Sequence, residues 1–129
     1  MLSDEDRAMF RAKNFGHLAT VMPDGSPQVS VVWVDADDAT ILVNTAEGRV
    51  KTAYMRRDPR VAMSIYDQAD PYTRLVIRGT VVEMTHEGAA DHIDQLAKKY
   101  MDRDGYWAHD PAKPRVLVRI RPDSIGRSD

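Results

Sequence analysis

The sequence contains no cysteine. That excludes a disulfide framework, a thiolate metal site and a cysteine nucleophile. Long apolar runs are missing too: none approaches the ~18 consecutive residues of a membrane-spanning helix. Neither sign of charge dominates. With 18 Lys and Arg against 20 Asp and Glu, the net charge is −2. No global basic field gathers nucleic acid or an anionic membrane, so anion binding has to be local. Aromatic residues are only 7% of the chain, which argues further against a stacking platform for single-stranded bases. The four histidines, His17, His86, His92 and His109, are scattered and share no metal-ligand spacing with carboxylates. No Ser/His/Asp arrangement stands out. Met1–Arg7 is acidic and lacks an apolar core, so no secretory leader is expected and a cytoplasmic location is.

What is present suits one domain with one core over residues 1–129. Ser3 reads as the N-cap of a short helix to about Lys13. Leu18–Met22 reads as a strand, Pro23-Asp24-Gly25-Ser26 as a hairpin turn, and Gln28–Val34 as the return strand. On that strand Val29, Val31 and Trp33 share one face; Gln28, Ser30, Val32 and Val34 share the other. Apart from Gln28 and Ser30 it is apolar on both sides, so cover on both sides is expected. Asp35 to Asp38 reads as a solvated turn rather than a calcium loop, whose remaining pattern is missing. Strands follow at Thr40–Thr45, from Val61 to near Tyr66, and at Arg74–Met84, the last interrupted by Gly79 as at a bulge. Asp67–Pro71 is expected to be a loop. Thr85 is a candidate cap for a helix through Met101, with Ala89, Ile93, Leu96, Ala97 and Tyr100 in one apolar stripe. Asp102 to Gly105 ends it. Tyr106–Lys113 reads as loop, and Trp107 as a lid over a ligand or, preferably, a plug at a barrel end. The final strand begins at Val116 and its run ends at Pro122, with Ser124 to Arg127 as a candidate extension of the edge. About six strands, with early hairpins and helices inserted later, predict an antiparallel barrel.

One stretch combines structure with unusual charge. An apolar run, Ile41–Val43, leads through a turn at Gly48 into a helix from about Arg49 to Arg57, which Asp58-Pro59 stops. Arg56 and Arg57 lie in its last turn, where cations complement the macrodipole. Arg49 and Lys51 lie in its first turn, where cations oppose it. Two readings stand: a solvated basic turn, or a bound anion toward which the free N–H groups, the dipole and both cations point.

Three stretches together resemble a known family. They are Gly16-His17-Leu18-Ala19-Thr20-Val21 with Pro23 through Trp33, then Gly48-Arg49-Val50-Lys51 running into Met55–Val61, and Ile77-Arg78-Gly79-Thr80-Val81. In this order and spacing they resemble the split β-barrel flavin and deazaflavin oxidoreductases of the pyridoxamine 5′-phosphate oxidase-like superfamily. They look most like its coenzyme F420-dependent branch. The resemblance implies a mainly β fold with inserted helices, a six-stranded antiparallel split β-barrel, assembled as a homodimer with cofactor grooves between the barrels. It implies that Gln28, Ser30, Val31, Val32 and Trp33 face the flavin ring. Asn44 and Thr45 would touch the ring or ribityl chain. Arg49 and Lys51 would hold the phosphate, with Arg56 or Arg57 nearby. The loop around Tyr72 and Arg74 of the partner subunit would close the groove. The missing acid, base and nucleophile agree with chemistry carried by a cofactor. The expected activity is hydride transfer from reduced deazaflavin, coenzyme F420, to a small organic acceptor. FMN is the alternative cofactor, and a cofactor-binding barrel without turnover is the alternative class.

Overall fold

Ser3 caps the first helix as expected: its hydroxyl accepts from the Asp6 N–H, and the Asp6 carboxylate answers on the Ser3 N–H. The computed structural model describes residues 1–127. The elements in chain order are α1 (Asp4–Arg11), β1 (Phe15–Val21), β2 (Pro27–Ala36), β3 (Ile41–Ala46), α2 (Val50–Arg57), β4 (Arg60–Asp67), β5 (Asp70–Thr85), α3 (Ala89–Met101) and β6 (Arg115–Gly126). The six strands close into a barrel in the order β1-β2-β3-β6-β5-β4. Every neighbouring pair is antiparallel. Closure leaves no free edge on strands this apolar. No helix among the described residues is long and apolar enough to cross a membrane.

The core fills the barrel. Leu18, Val32, Val34, Val43, Ile65, Ile77, Val116 and Val118 all join one buried cluster. Phe10 of α1, with no exposed surface, joins the same cluster. Burial of a side chain that size stabilises by about 2–3 kcal/mol, so α1 is held to the barrel rather than merely attached. The stripe predicted on α3 is buried throughout. Ile93, Leu96 and Tyr100 pack on Phe15, Trp33 and Tyr106. The Tyr100 hydroxyl accepts from Val34 N–H at 3.0 Å and donates to Asn14 O at 2.5 Å.

Four expectations need correction. The ladder of β4 and β5 continues to Asp67↔Asp70, so the Asp67–Pro71 loop shrinks to a turn at Gln68 and Ala69. Thr85 does not cap α3. Its hydroxyl accepts from Glu87 N–H, and Gly88, at φ 75°, is the N-cap. The end of α3 is where it was expected: Asp102 takes the left-handed conformation there, at φ 53°. Pro122 does not end the last strand. It lies opposite Gly79, beside a register shift at which Asp123 of β6 is the extra residue, and a proline fits a site where the ladder is already broken. Finally, the outer face of β2 is covered only at its Trp33 end, by α3. Val29 and Val31, on the outer face, remain 65% and 62% exposed.

Candidate functional site

The first turn of α2 is fixed from below. The Thr52 hydroxyl donates to Ala46 O at 2.8 Å and meets the Thr45 hydroxyl at 3.0 Å; both threonines are buried. Met55 is buried one turn later. These contacts hold the N-terminus of α2 over the end of β3. That N-terminus is chemically open. Arg49 is the N-cap and makes no side-chain capping bond, and no acid lies in the first turn. Gly48, at φ 86°, supplies the turn that brings the chain there.

Beside this helix end is a groove of about 220 Å³ lined by Gln28, Ser30, Arg49, Val50 and Lys51. It joins the two sequence regions assigned to the site. Gln28 Oε1 accepts from the Thr20 hydroxyl at 3.0 Å, which fixes its amide. Ser30 Oγ is buried without a hydrogen-bond partner, an orphaned polar atom that a ligand would satisfy. Burial, then the Arg49 and Arg115 cations, pulls the Lys51 ammonium below its ordinary value. Arg115 is lowered as well, by burial first, with Arg49 adding to the shift and Tyr106 opposing it. Among the described residues no carboxylate forms an ion pair with Arg49, Lys51 or Arg115. Three clustered cations at the positive end of a helix dipole disfavour one another, and an anion reverses the sign of every one of those interactions.

The remaining predicted site residues go elsewhere. Val32 is in the barrel core and Thr45 is buried against Thr52. Val31 faces outward. Trp33 lies under α3, stacked on Tyr100 at 5.2 Å with the rings 4° apart. Asn44 turns toward α3, donating to Ala89 O at 2.8 Å. Arg56 is engaged by Glu47, at 2.5 and 2.6 Å. That contact and His86 hold Glu47 at a pKa of about 2. Arg57 reaches back to Pro23 O at 3.0 Å, clasping the turn between β1 and β2. Tyr72 and Arg74 belong to the β4–β5 hairpin and line a separate cleft with Glu5, Asp6, Met9 and Arg127. Trp107 is not a plug of the barrel. It is 54% exposed outside the barrel, edge-on to Trp33.

Sequence reasoning missed Arg115, which begins β6 just ahead of the predicted strand. Its Nε donates to Asn44 Oδ1 at 2.9 Å, and its guanidinium lies over the Tyr106 ring, 5.0 Å from the centroid. No local pattern marks it, because its neighbours come from β3, α2 and the loop after α3. Of residues 35–38, read as a solvated turn, Asp35 and Ala36 belong to β2 and the turn begins at Asp37. Asp37 organises the turn through Thr40 and pairs with Arg119 at 2.7 Å. Among the described residues no group of three or more potential metal ligands forms. A larger cleft, about 390 Å³, lies between β1, β4 and β5, lined by Ala19, Val21, Ala62, Arg78 and Thr80 among others. It contains none of the predicted site residues and lacks the cation cluster.

Similar proteins point the same way. A solved structure named F420 reductase is 31% identical, covering 95% of this chain and 96% of its own, with a TM-score of 0.82. A conserved hypothetical protein from Mycobacterium tuberculosis is 26% identical over 97% of this chain and 83% of its own, at a TM-score of 0.73. An FAD-binding protein from Mesorhizobium loti is 25% identical over 96% and 92%, at a TM-score of 0.67. Residues 2–128 match the pyridoxamine 5′-phosphate oxidase family. With the closed six-stranded barrel, that match over nearly the whole chain makes this protein a member of the pyridoxamine 5′-phosphate oxidase family.

Proposed function

We propose that this protein is an oxidoreductase that binds coenzyme F420 with its phosphate at the N-terminus of α2 and reduces a small organic acceptor. Family membership supports a flavin-type oxidoreductase, and the likeness to the F420 reductase supports the deazaflavin. The single observation that carries the reading is the unpaired cluster of Arg49, Lys51 and Arg115 beside the uncapped helix end. When bound, the cofactor supplies the hydride. The protein's part is placement and electrostatics. Arg49, Lys51 and the first N–H groups of α2 hold the phosphate. Gln28 and Ser30 offer hydrogen bonds at the groove floor.

The site is proposed to be completed by a second copy. Val29 and Val31 of β2, Tyr66 of β4 and Val76 of β5 are apolar side chains exposed on the outside of the barrel, with β1 and its His17 between β2 and β4. Tyr72 and Arg74 share the strand parity of Val76 and project from the same hairpin. Apolar exposure of this kind supports a two-fold dimer, in which the hairpin reaches the partner's groove.

Purified protein from a host without deazaflavin tests the reading. It should be nearly colourless, bind added F420 more tightly than FMN, and oxidise reduced F420 when given an acceptor. Stoichiometric yellow FMN retained through purification would move the assignment to the FMN-dependent alternative. Tight binding without turnover across a broad acceptor panel would make it a cofactor carrier.

A further inference from the structure

Arg49 stands between two grooves. One is the proposed phosphate groove. The other, about 230 Å³, lies between the Gly48–Arg49 turn and the segment leading into β6, where Glu47, Tyr106, Asp110, Lys113 and Arg115 line it. Its two acids are already engaged. Glu47 is held by Arg56 and by His86, the latter at 2.6 Å, and Asp110 accepts from Ala112 N–H at 2.9 Å. Neither forms an ion pair with Arg115.

Arg115 is held in place by a chain of polar groups that reaches into the protein. Asn44 accepts from its Nε at 2.9 Å. The Asn44 amide nitrogen donates to Ala89 O at 2.8 Å and faces His92 Nδ1 at 3.3 Å. His92, only 7% exposed, faces Asp35 with Nε2 at 3.2 Å. The bonds are mutually consistent in one arrangement. His92 donates from Nε2 to Asp35 and accepts at Nδ1 from the amide, which leaves the Asn44 oxygen for Arg115. Three polar residues from β2, β3 and α3 thus fix the guanidinium at one edge, and the Tyr106 ring supports its face. Holding a cation so firmly beside Arg49 and Lys51 is unfavourable without an anion, and support of this kind is typical of ligand-binding groups.

We propose that this groove is a second anion subsite, with Arg115 as its main binding residue and Asn44, His92 and Asp35 as its positioning residues. Its occupant is an anionic group lying beyond the first phosphate of an extended cofactor. This inference rests on the reading of the Lys51 groove as the first phosphate site. Arginine suits the role because its planar fork matches a carboxylate or a phosphoryl group. FMN, which ends at its phosphate, would leave the subsite unused. Coenzyme F420, which continues into carboxylates, and FAD, which continues into a second phosphate, are the two sources of such a group.

Dissociation constants of FMN, FAD and F420 for the wild type, Lys51→Gln, Arg115→Gln and Asn44→Leu test it. Arg115→Gln should weaken an extended cofactor by about tenfold or more and FMN by less than about twofold. F420 alone affected identifies a carboxylate occupant, and FAD alone a phosphoryl one. Asn44→Leu should show the same selectivity in weaker form, whereas a merely structural loss would weaken all three cofactors together. Lys51→Gln should weaken all three. Equal losses of FMN and the extended cofactors in Arg115→Gln would place Arg115 on the first phosphate and overturn the proposal, as would no loss in any. If Arg115→Gln fails to fold, Lys113→Gln, exposed in the same groove, should show the selectivity at smaller size, and its absence overturns the proposal. If wild type binds none of the cofactors, the proposed function fails. Triglutamate titration then tests the subsite alone: a shift of the Arg115 Nε–H resonance, lost in Asn44→Leu, supports it, and no shift overturns it.

Discussion

At the scale of the residue, Lys51 connects stability to binding. Its ammonium is lowered from the ordinary 10.5 by burial and by Arg49 and Arg115. Between that lowered value and 10.5 the unfolded chain binds the proton while the folded chain has released it, so stability without ligand rises with pH across the window. Lys99, pushed down to about 8 by burial, acts in the same direction. The Lys51 share is therefore the difference between wild type and Lys51→Met. Affinity for an anionic cofactor should fall over the same window, as the cation is lost. Thermal melts and titrations at several pH values between 8 and 10.5 check both slopes. Parallel profiles for wild type and variant would remove Lys51 from the account. Arg57 should behave in the opposite way. It clasps Pro23 O rather than the groove, so Arg57→Ala should cost about 0.5–1.5 kcal/mol of stability and change affinity by less than about twofold. Arg49 and Lys51 were legible in the sequence because a cation at a helix start breaks a local rule. Arg115 was not, since its significance lies in neighbours that are distant along the chain.

At the scale of the element, the hairpin turns, the helix stripes and the Gly79 bulge were readable because each follows from periodicity or from one backbone requirement. What could not be read was how elements accommodate one another. Pro122 reads as a stop in its own strand, and only the register shift beside it, opposite Gly79, makes it tolerable. Trp33 reads as a ring-facing residue, and only α3 arriving over it makes it part of a packed aromatic group. Gly79 tests the bulge directly. A Cβ there would lie 2.7 Å from Arg121 O and 2.8 Å from Ile120 Cγ2. The first contact is with backbone, which cannot swing aside. Gly79→Ala should therefore destabilise by about 1–3 kcal/mol, seen as a lower denaturant midpoint at unchanged slope. An unchanged midpoint would mean that β5 and β6 separate freely at the bulge.

At the scale of the whole molecule, the closed barrel answers the edge problem, and the exposed face of β2, β4 and β5 raises the next one. The sequence expectation that β2 is covered on both sides holds within one chain on the inner side and, on the outer side, at Trp33 under α3; a second copy would supply the cover over Val29 and Val31. Val31→Asp adds a charge at a position 62% exposed in the single chain, so the folded monomer should tolerate it. It should nonetheless turn the dimer into monomer at micromolar concentration and abolish tight cofactor binding, as followed by sedimentation velocity and titration. Wild type sedimenting as a monomer would contradict both the interface and the shared groove. The claim on which everything else depends is that the cation cluster at the start of α2 holds the cofactor phosphate. Titration of F420 into wild type and Lys51→Ala tests it most directly. One charge-assisted contact contributes about 1.5–3 kcal/mol, so the variant should bind about ten- to a hundredfold more weakly, with its melting temperature without ligand unchanged or slightly higher. Equal affinity in the two proteins would contradict the account.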